Sequence, residues 1–162
     1  MTRDRLEKCD SWVRRKNESP PDKGYDALRT QPYRILVAED NRAFAKALRF
    51  NLEAAGFSTT IADDGSQALQ LAQQDQFDLL IADYQMPGIL GIDLCRRLRQ
   101  DERYARTPMI LISAFQDCSV VELIEDIELL DAIFVKPFSM EELMSQIRTS
   151  LPDSKVATDS PS

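Results

Sequence analysis

Short apolar runs alternate with amphipathic stretches five times between residues 33 and 151, and this alternation constrains the fold more than any other feature. The apolar runs predict β-strands over 33–38, 57–61, 77–82, 108–112 and 132–135. The first, third and fourth runs are apolar throughout, which is typical of strands covered by helices on both faces. Strand–helix alternation predicts an α/β fold with a parallel sheet and right-handed crossovers.

Helical spacing of apolar residues predicts one helix after each strand. The first helix ends near Gly56, the fourth covers residues 119–130, and the last has Met140, Leu143, Ile147 and Leu151 on one face. Between the second strand and the second helix, 63–65 (Asp-Asp-Gly) is expected to be a turn with solvated carboxylates. The fourth helix is unusually apolar, which fits either deep packing or a partner-binding face shared with the fifth strand and the last helix.

Charge is distributed unevenly along the 162 residues. Residues 33–162 carry 12 basic and 21 acidic side chains, whereas residues 1–32 carry 8 and 6. An acidic body of this kind disfavours direct binding to nucleic acid or to an anionic membrane. Residues 1–32 are expected to be a flexible arm, with a docking segment or linker remnant as the alternative. Residues 152–162 are expected to be a disordered tail.

The composition also excludes several kinds of chemistry. The chain contains no histidine, so Ser–His and Cys–His nucleophile pairs and histidine-ligated zinc are excluded. Its three cysteines (Cys9, Cys95 and Cys118) form no C-x-x-C motif and are expected to be reduced structural thiols. No apolar run reaches the roughly 18 residues of a membrane span, and the first residues lack a signal-peptide core. A cytoplasmic protein is therefore expected.

Polar side chains stand where four of the predicted strands end. They are Glu39 with Asp40, Asp83, Ser113 and Lys136. Because ligand sites in open parallel sheets form outside the carboxyl ends of the strands, we expect these groups to converge. Oxygen ligands without histidine or thiolate suit Mg²⁺, and lysine with Mg²⁺ can neutralise a transferring phosphoryl group. A carboxylate beside them can act as a nucleophile and form an aspartyl phosphate.

Each of these residues has an ordinary structural interpretation when it is taken alone. The segment 39–41 (Glu-Asp-Asn) can cap a helix, and Asp83 can open a turn. Ser113 can bond a neighbouring backbone group, and Lys136 can pair with any surface acid. The site is favoured because all four strand ends carry members of one complementary set.

The residues at these strand ends resemble those of the receiver domain of two-component response regulators. The matching segments are 35–41 (ILVAEDN), 62–69 (ADDGSQAL), 78–88 (DLLIADYQMPG), 108–114 (PMILISA) and 134–138 (FVKPF). The resemblance covers about residues 33–151, which would be the receiver domain. It implies a flavodoxin-like (βα)5 doubly wound sheet in three layers, with strand order 2-1-3-4-5.

The resemblance also implies a role for each site residue. Asp83 would accept a phosphoryl group from the phosphohistidine of a histidine kinase or phosphotransfer protein. Asp40, Asp83 and the backbone carbonyl of Gln85 would hold Mg²⁺, with Glu39 acting mostly through water. Lys136 would pair with a phosphoryl oxygen, and Ser113 would hydrogen-bond it after transfer. The bond between Lys136 and Pro137 would be cis, which proline tolerates at little cost.

Two positions depart from the family pattern. The family commonly has Tyr or Phe three residues before the lysine, where this chain has Ile133. Phe134 is one residue further on and is expected to face the other side of the strand. The Gly-Ala type of turn before the fifth strand is replaced by 129–131 (Leu-Leu-Asp). We therefore expect phosphorylation to be retained while the output movement differs.

These observations favour a phosphorylated switch rather than a turnover enzyme. Haloacid-dehalogenase-like phosphatases also use Asp, Ser/Thr, Lys and Mg²⁺, but their nucleophile follows the first strand in an Asp-x-Asp pattern. A degenerate receiver used only for docking is the other alternative. Because 11 residues follow Leu151, a stand-alone receiver is expected unless the chain is a fragment. Its output would then pass through a downstream protein or a homodimer, on the face formed by the fourth helix, fifth strand and last helix.

Overall fold

The structure, a computed structural model, describes residues 29–114 and 127–151. Within these ranges the chain forms five strands: β1 (Arg34–Ala38), β2 (Ser58–Ala62), β3 (Leu79–Asp83), β4 (Met109–Ala114) and β5 (Ala132–Lys136). The α-helices of the same ranges are α1 (Arg42–Ala54), α2 (Gly65–Gln74), α3 (Gly91–Arg99) and α4 (Met140–Ser150). Two short 3₁₀ turns lie at Glu102–Tyr104 and Ile127–Leu129.

The five strands form one parallel sheet in the order β2-β1-β3-β4-β5. This confirms the predicted flavodoxin-like α/β fold. The register places Asp83 opposite Ile112, and Ala114 opposite Lys136. The carboxyl ends of the central strands therefore meet at one edge of the sheet, as the strand-end argument requires.

Alternate residues of each central strand point to opposite faces of the sheet, so two apolar layers form. One layer packs strand residues such as Ile35 and Ile110 against α1 and α4. The other packs strand residues such as Leu36 and Leu111 against α2 and α3. Burial on both faces explains why these strands are apolar throughout, and it fixes the strand ends relative to one another.

The helices begin at side-chain caps. Asn41 caps α1, and the Asn41 Oδ1 atom accepts a hydrogen bond from the Phe44 N–H at 3.1 Å. Asp64 caps α2, where its Oδ1 atom accepts from the Gln67 N–H at 2.7 Å. The expectation of a turn with solvated carboxylates at 63–65 holds for the exposed Asp63, but the Asp64 carboxylate caps α2 and Gly65 is the buried first residue of that helix.

The segment before β5 differs from the prediction. The helix predicted over 119–130 lies outside the described residues for most of its length, and residues 127–129 form a 3₁₀ turn. Within β5, Ile133 packs on the α2–α3 side and Phe134 on the α1–α4 side, which confirms that they face opposite ways. Cys95 is buried, as expected of a structural thiol.

Residues 1–28 and 152–162, which hold most of the predicted arm and the predicted tail, lie outside the described part of the chain, as do Cys9 and Cys118. Among the described helices, none combines the length and the apolar character that a bilayer crossing requires.

Candidate functional site

The predicted site residues lie at the carboxyl edge of the sheet. Glu39 and Asp40 follow β1 directly, Asp83 is the last residue of β3, and Lys136 is the last residue of β5. Asp83, Lys136 and Ser113 thus lie within their strands rather than just past them as predicted, and Ser113 lies one residue before the end of β4. The strand is longer than the apolar run because its backbone pairing with β5 continues to Ala114.

Three carboxylates come together at this edge. One oxygen atom from each of Glu39, Asp40 and Asp83 lies within 4.8 Å of the others. Glu39 is buried, Asp83 is partly buried and Asp40 is exposed, so the cluster opens toward solvent on the Asp40 side. Carboxylates at this spacing repel one another unless protons or a cation neutralise them.

Glu39 is the most confined member of the cluster. Its Oε1 atom accepts a hydrogen bond from the Asn41 N–H at 2.9 Å, whereas its buried Oε2 atom has no hydrogen-bond partner. The Lys136 Nζ atom lies 3.6 Å from this Oε2 atom, which is an ion pair too long for a hydrogen bond. The pKa of the Glu39 carboxyl is raised to about 7, mainly because the group is buried. The hydrogen bond from Asn41 and the charge of Lys136 lower the pKa, whereas the nearby Asp83 and Asp40 carboxylates contribute to the rise.

The pKa of the Asp83 carboxyl is also raised. Burial is the main cause of the raised pKa of its carboxyl, and the nearby charge of Asp40 adds to the effect. Lys136 and the backbone N–H groups of Tyr84 and Gln85 act in the opposite direction, because they stabilise the ionised form. The ammonium group of Lys136 therefore favours the ionised carboxylate on both Glu39 and Asp83.

The two remaining predicted residues flank the cluster. Ser113 is buried, and its Oγ atom donates to the neighbouring Ala114 carbonyl at 3.3 Å, the local backbone bond that was its ordinary interpretation. Gln85 is exposed in the loop that follows β3. In that loop Gly88 has a φ of +82°, a left-handed conformation that glycine adopts without strain.

Gly91, the first residue of α3, lets that helix approach the end of β3. A Cβ atom at this position would overlap the backbone carbonyl oxygen of Asp83. The Gly91 N–H donates to the Tyr84 carbonyl at 3.0 Å, which closes the loop between them. The backbone around Asp83 is thus fixed by close packing, a role that the sequence alone did not assign to Gly91.

The donor set fits a hard divalent cation. All three side chains of the cluster offer carboxylate oxygens, and the buried Glu39 Oε2 atom lacks a hydrogen-bond donor. Mg²⁺ takes oxygen ligands, keeps several waters and is commonly held by one or two carboxylates. The absence of nitrogen and sulfur ligands from the cluster makes zinc and copper poor alternatives.

The comparisons with known proteins agree with this arrangement. The family description "Response regulator receiver domain" matches residues 35–148, and the chain belongs to that family. The chain is 40% identical over 119 residues to the phosphate regulon transcriptional regulatory protein PhoB of Rhizobium meliloti, covering 73% of this chain and 52% of PhoB. It is 35% identical over 123 residues to the DNA-binding response regulator MtrA of Mycobacterium tuberculosis, covering 75% of this chain and 52% of MtrA.

Solved structures show the same similarity. The response regulator TrrA of Thermotoga maritima, in complex with Mg²⁺ and beryllium fluoride, superposes with a TM-score of 0.63 at 26% identity, covering 74% of this chain and 99% of TrrA. The chain spans about half the length of the curated relatives named above. A receiver domain of a two-component system is thus established.

Proposed function

We propose that the chain is a phosphoacceptor switch in which Asp83 receives a phosphoryl group from a phosphohistidine of a partner kinase or phosphotransfer protein. The observation that carries the proposal is the cluster of three carboxylate oxygens within 4.8 Å of one another, with Lys136 in an ion pair with the buried Glu39 Oε2 atom. In this reaction an Asp83 oxygen forms the new P–O bond as the P–N bond of the donor breaks, and the donor imidazole leaves.

The residues around Asp83 support this chemistry in distinct ways. Asp40, Asp83 and the Gln85 carbonyl are proposed to hold Mg²⁺, and Glu39 is proposed to act mainly through water. When bound, Mg²⁺ supplies positive charge beside the phosphoryl oxygens. Lys136 favours the ionised form of the Asp83 carboxylate and is proposed to pair with a phosphoryl oxygen. Ser113, once its hydroxyl turns from the Ala114 carbonyl, can hydrogen-bond the same group.

The assignment of Asp83 is tested by incubating the purified chain with acetyl phosphate and Mg²⁺ and measuring its intact mass. We expect one phosphoryl group to be gained by the wild type and none by Asp83→Asn, because the amide cannot act as the nucleophile. Asp78→Asn is the matched control, since Asp78 immediately precedes the same strand at its other end. An equal gain of mass in Asp83→Asn would overturn the assignment.

A phosphatase of the haloacid-dehalogenase type is the enzymatic alternative, and a docking-only receiver is the inactive one. Multiple turnover of a simple phosphate ester would favour the phosphatase, whereas failure of the wild type to gain mass would favour docking. Transfer from each histidine kinase of the source organism in turn would then identify the physiological donor.

We further propose that residues 33–151 form a stand-alone cytoplasmic switch that signals through protein contact rather than through direct binding to nucleic acid. The support is a groove of about 770 Å³ between β5 and α4, lined by Phe134, Val135, Phe138 and Gln146 among others. Val135 is exposed there on the outer strand of the sheet.

Sedimentation with and without Mg²⁺ and beryllofluoride tests this output. A mass that doubles on beryllofluoride binding supports a homodimer. An unchanged mass counts against a phosphorylation-driven dimer and leaves a different downstream protein as the expected partner. Tight binding of the activated chain to DNA would overturn the proposal of output through protein alone.

A further inference from the structure

Lys136 has a second neighbour besides the carboxylates. Its Nζ atom lies 4.5 Å from the centroid of the Phe44 ring. A cation within about 6 Å of a ring centroid is attracted by the electron-rich face of the ring. The ammonium group is therefore shared between the Glu39 Oε2 atom at 3.6 Å and an aromatic face.

Phe44 is itself held through its backbone and through its ring. Its backbone N–H donates to the Asn41 cap at 3.1 Å, which fixes the first turn of α1. Its ring meets Phe138 edge to face, with centroids 6.1 Å apart and an interplanar angle of 78°. Phe138 in turn contacts Phe134 at 5.3 Å. Aromatic pairs with these spacings are stabilising, so the ring under the lysine is not free to move away.

These contacts link four residues in a ring: Glu39, Asn41, Phe44 and Lys136. The Asn41 N–H donates to Glu39 Oε1, the Asn41 Oδ1 atom accepts from the Phe44 N–H, and the Phe44 ring and Glu39 Oε2 both face the Lys136 ammonium. One cap residue thus fixes both groups that hold the lysine. A lysine has a flexible four-carbon stem, so without such neighbours its ammonium group samples many positions in solvent.

We propose that Phe44 is a positioning residue for Lys136, whose ring holds the ammonium group beside the Glu39 and Asp83 carboxylates before phosphoryl transfer. The inference rests on the proposed function for its effect on transfer. The contact itself does not depend on that function. The proposal also gives Phe134 and Phe138 a role in supporting the Phe44 ring, since all three lie on the α1–α4 side of the sheet, opposite to Ile133.

The contact is tested by NMR of the Lys136 side chain. Methylene protons held over a ring face are shifted upfield by the ring current, so we expect Lys136 resonances upfield of those of an exposed lysine such as Lys46. Phe44→Leu should move them to ordinary positions, whereas Phe44→Tyr should retain the shift. Phe50→Leu is the matched control, because Phe50 lies on the same helix and is 74% exposed.

The effect on transfer is tested by the rate of phosphorylation from acetyl phosphate at saturating Mg²⁺. We expect Phe44→Leu to slow the reaction about tenfold and Phe44→Tyr to stay near the wild-type rate, given the usual strength of cation–π contacts. If Phe44→Leu fails to fold, 3,4,5-trifluorophenylalanine at position 44 keeps the shape of the ring, weakens its negative face and should slow the reaction in the same direction.

Each combination of results is decisive. An unshifted Lys136 resonance in the wild type overturns the contact. If Phe44→Leu loses the upfield shift of Lys136 but is phosphorylated at the wild-type rate, the positioning role in transfer is overturned. If Phe44→Leu is phosphorylated more slowly but retains the shift, Phe44 contributes by packing alone. If the wild type shows the shift but is never phosphorylated, the proposed function fails while the Lys136–Phe44 contact stands.

Discussion

Carboxylates lie at both edges of the parallel sheet, but their surroundings differ. At the amino edge, the Arg29 guanidinium donates to both Asp78 oxygens at 3.0 and 2.7 Å, and the Arg34 N–H donates to Asp78 as well. At the carboxyl edge, three carboxylates crowd together and the buried Glu39 Oε2 atom has no hydrogen-bond donor. The Asp78 carboxylate is therefore paired within the chain, whereas Lys136 faces a cluster of three carboxylates that protons or a further cation would neutralise.

The amino edge also ties separate segments together through Arg99 at the end of α3. Its guanidinium donates to the Leu129 carbonyl at 3.1 and 2.7 Å and to the Tyr104 and Thr107 carbonyls at 2.7 and 2.6 Å. The side chain is only 15% exposed, so these bonds are largely shielded from water. They fix the segment that leads into β5, where the expected Gly-Ala turn is missing.

The contrast teaches where stability and chemistry are placed in this domain. Polar groups that are buried and fully paired rigidify a structure, whereas a buried group left unpaired costs free energy. A cost of that kind at the carboxyl edge is consistent with a site that a ligand completes. Mutations at the two edges should therefore have opposite effects on the stability of the metal-free protein.

The largest effect is expected at Arg99. Arg99→Met leaves three backbone carbonyls without their donor, so we expect the free energy of unfolding to fall by about 4 kcal/mol. Urea unfolding monitored by circular dichroism measures the change. Arg97→Met is the control, because Arg97 lies on the same helix and is exposed, and its loss should stay within about 0.5 kcal/mol. Equal losses in the two variants would contradict the role given to Arg99.

The next effect concerns Glu39 and depends on pH. Its pKa is raised from 4.5 to about 7 in the folded protein, so folding favours the protonated form. The stability that this proton contributes is present below pH 4.5 and is lost as the pH rises to about 7. Glu39→Gln mimics the neutral form at every pH and should be more stable than the wild type by about 3 kcal/mol at pH 8.

The decisive measurement is the difference in unfolding free energy between the wild type and Glu39→Gln from pH 5 to pH 8 without divalent ions. The difference should grow from pH 5 to about pH 7 and become constant above that pH. Added Mg²⁺ should stabilise the wild type at pH 8 and reduce the difference. A difference that is independent of pH would mean that Glu39 is already ionised without penalty in the fold.

The smallest effect is expected for Asp78 at the amino edge, where loss of the charge should destabilise the protein, whereas Glu39→Gln should stabilise it. Asp78→Asn weakens the paired bonds to Arg29, whose side chain is 30% exposed, and should destabilise the domain by about 1 kcal/mol at pH 8. Phosphorylation of Asp83 should not change. Asp63→Asn, at an exposed site, should leave the unfolding midpoint unchanged. A stabilised Asp78→Asn variant would remove the contrast between the two edges.

The strand order and most of the site could be predicted because they follow from local patterns. Apolar runs set the strands, and the carboxyl-edge rule selected Glu39, Asp40, Asp83 and Lys136, which the structure brings to one edge. The prediction missed that Ser113 lies within β4, because strand pairing extends beyond the apolar run. It also treated Asp64 as solvated, although that carboxylate caps α2.

The sequence by itself determined which chemical groups stand at the strand ends, because side-chain period and strand–helix alternation are local properties of the chain. Only the tertiary structure decided how those groups are paired. The raised pKa of Glu39 depends on burial by several elements at once, and the Lys136–Phe44 contact joins the end of β5 to the start of α1. Desolvation and contacts between distant segments arise only after packing, so no local pattern could have shown them.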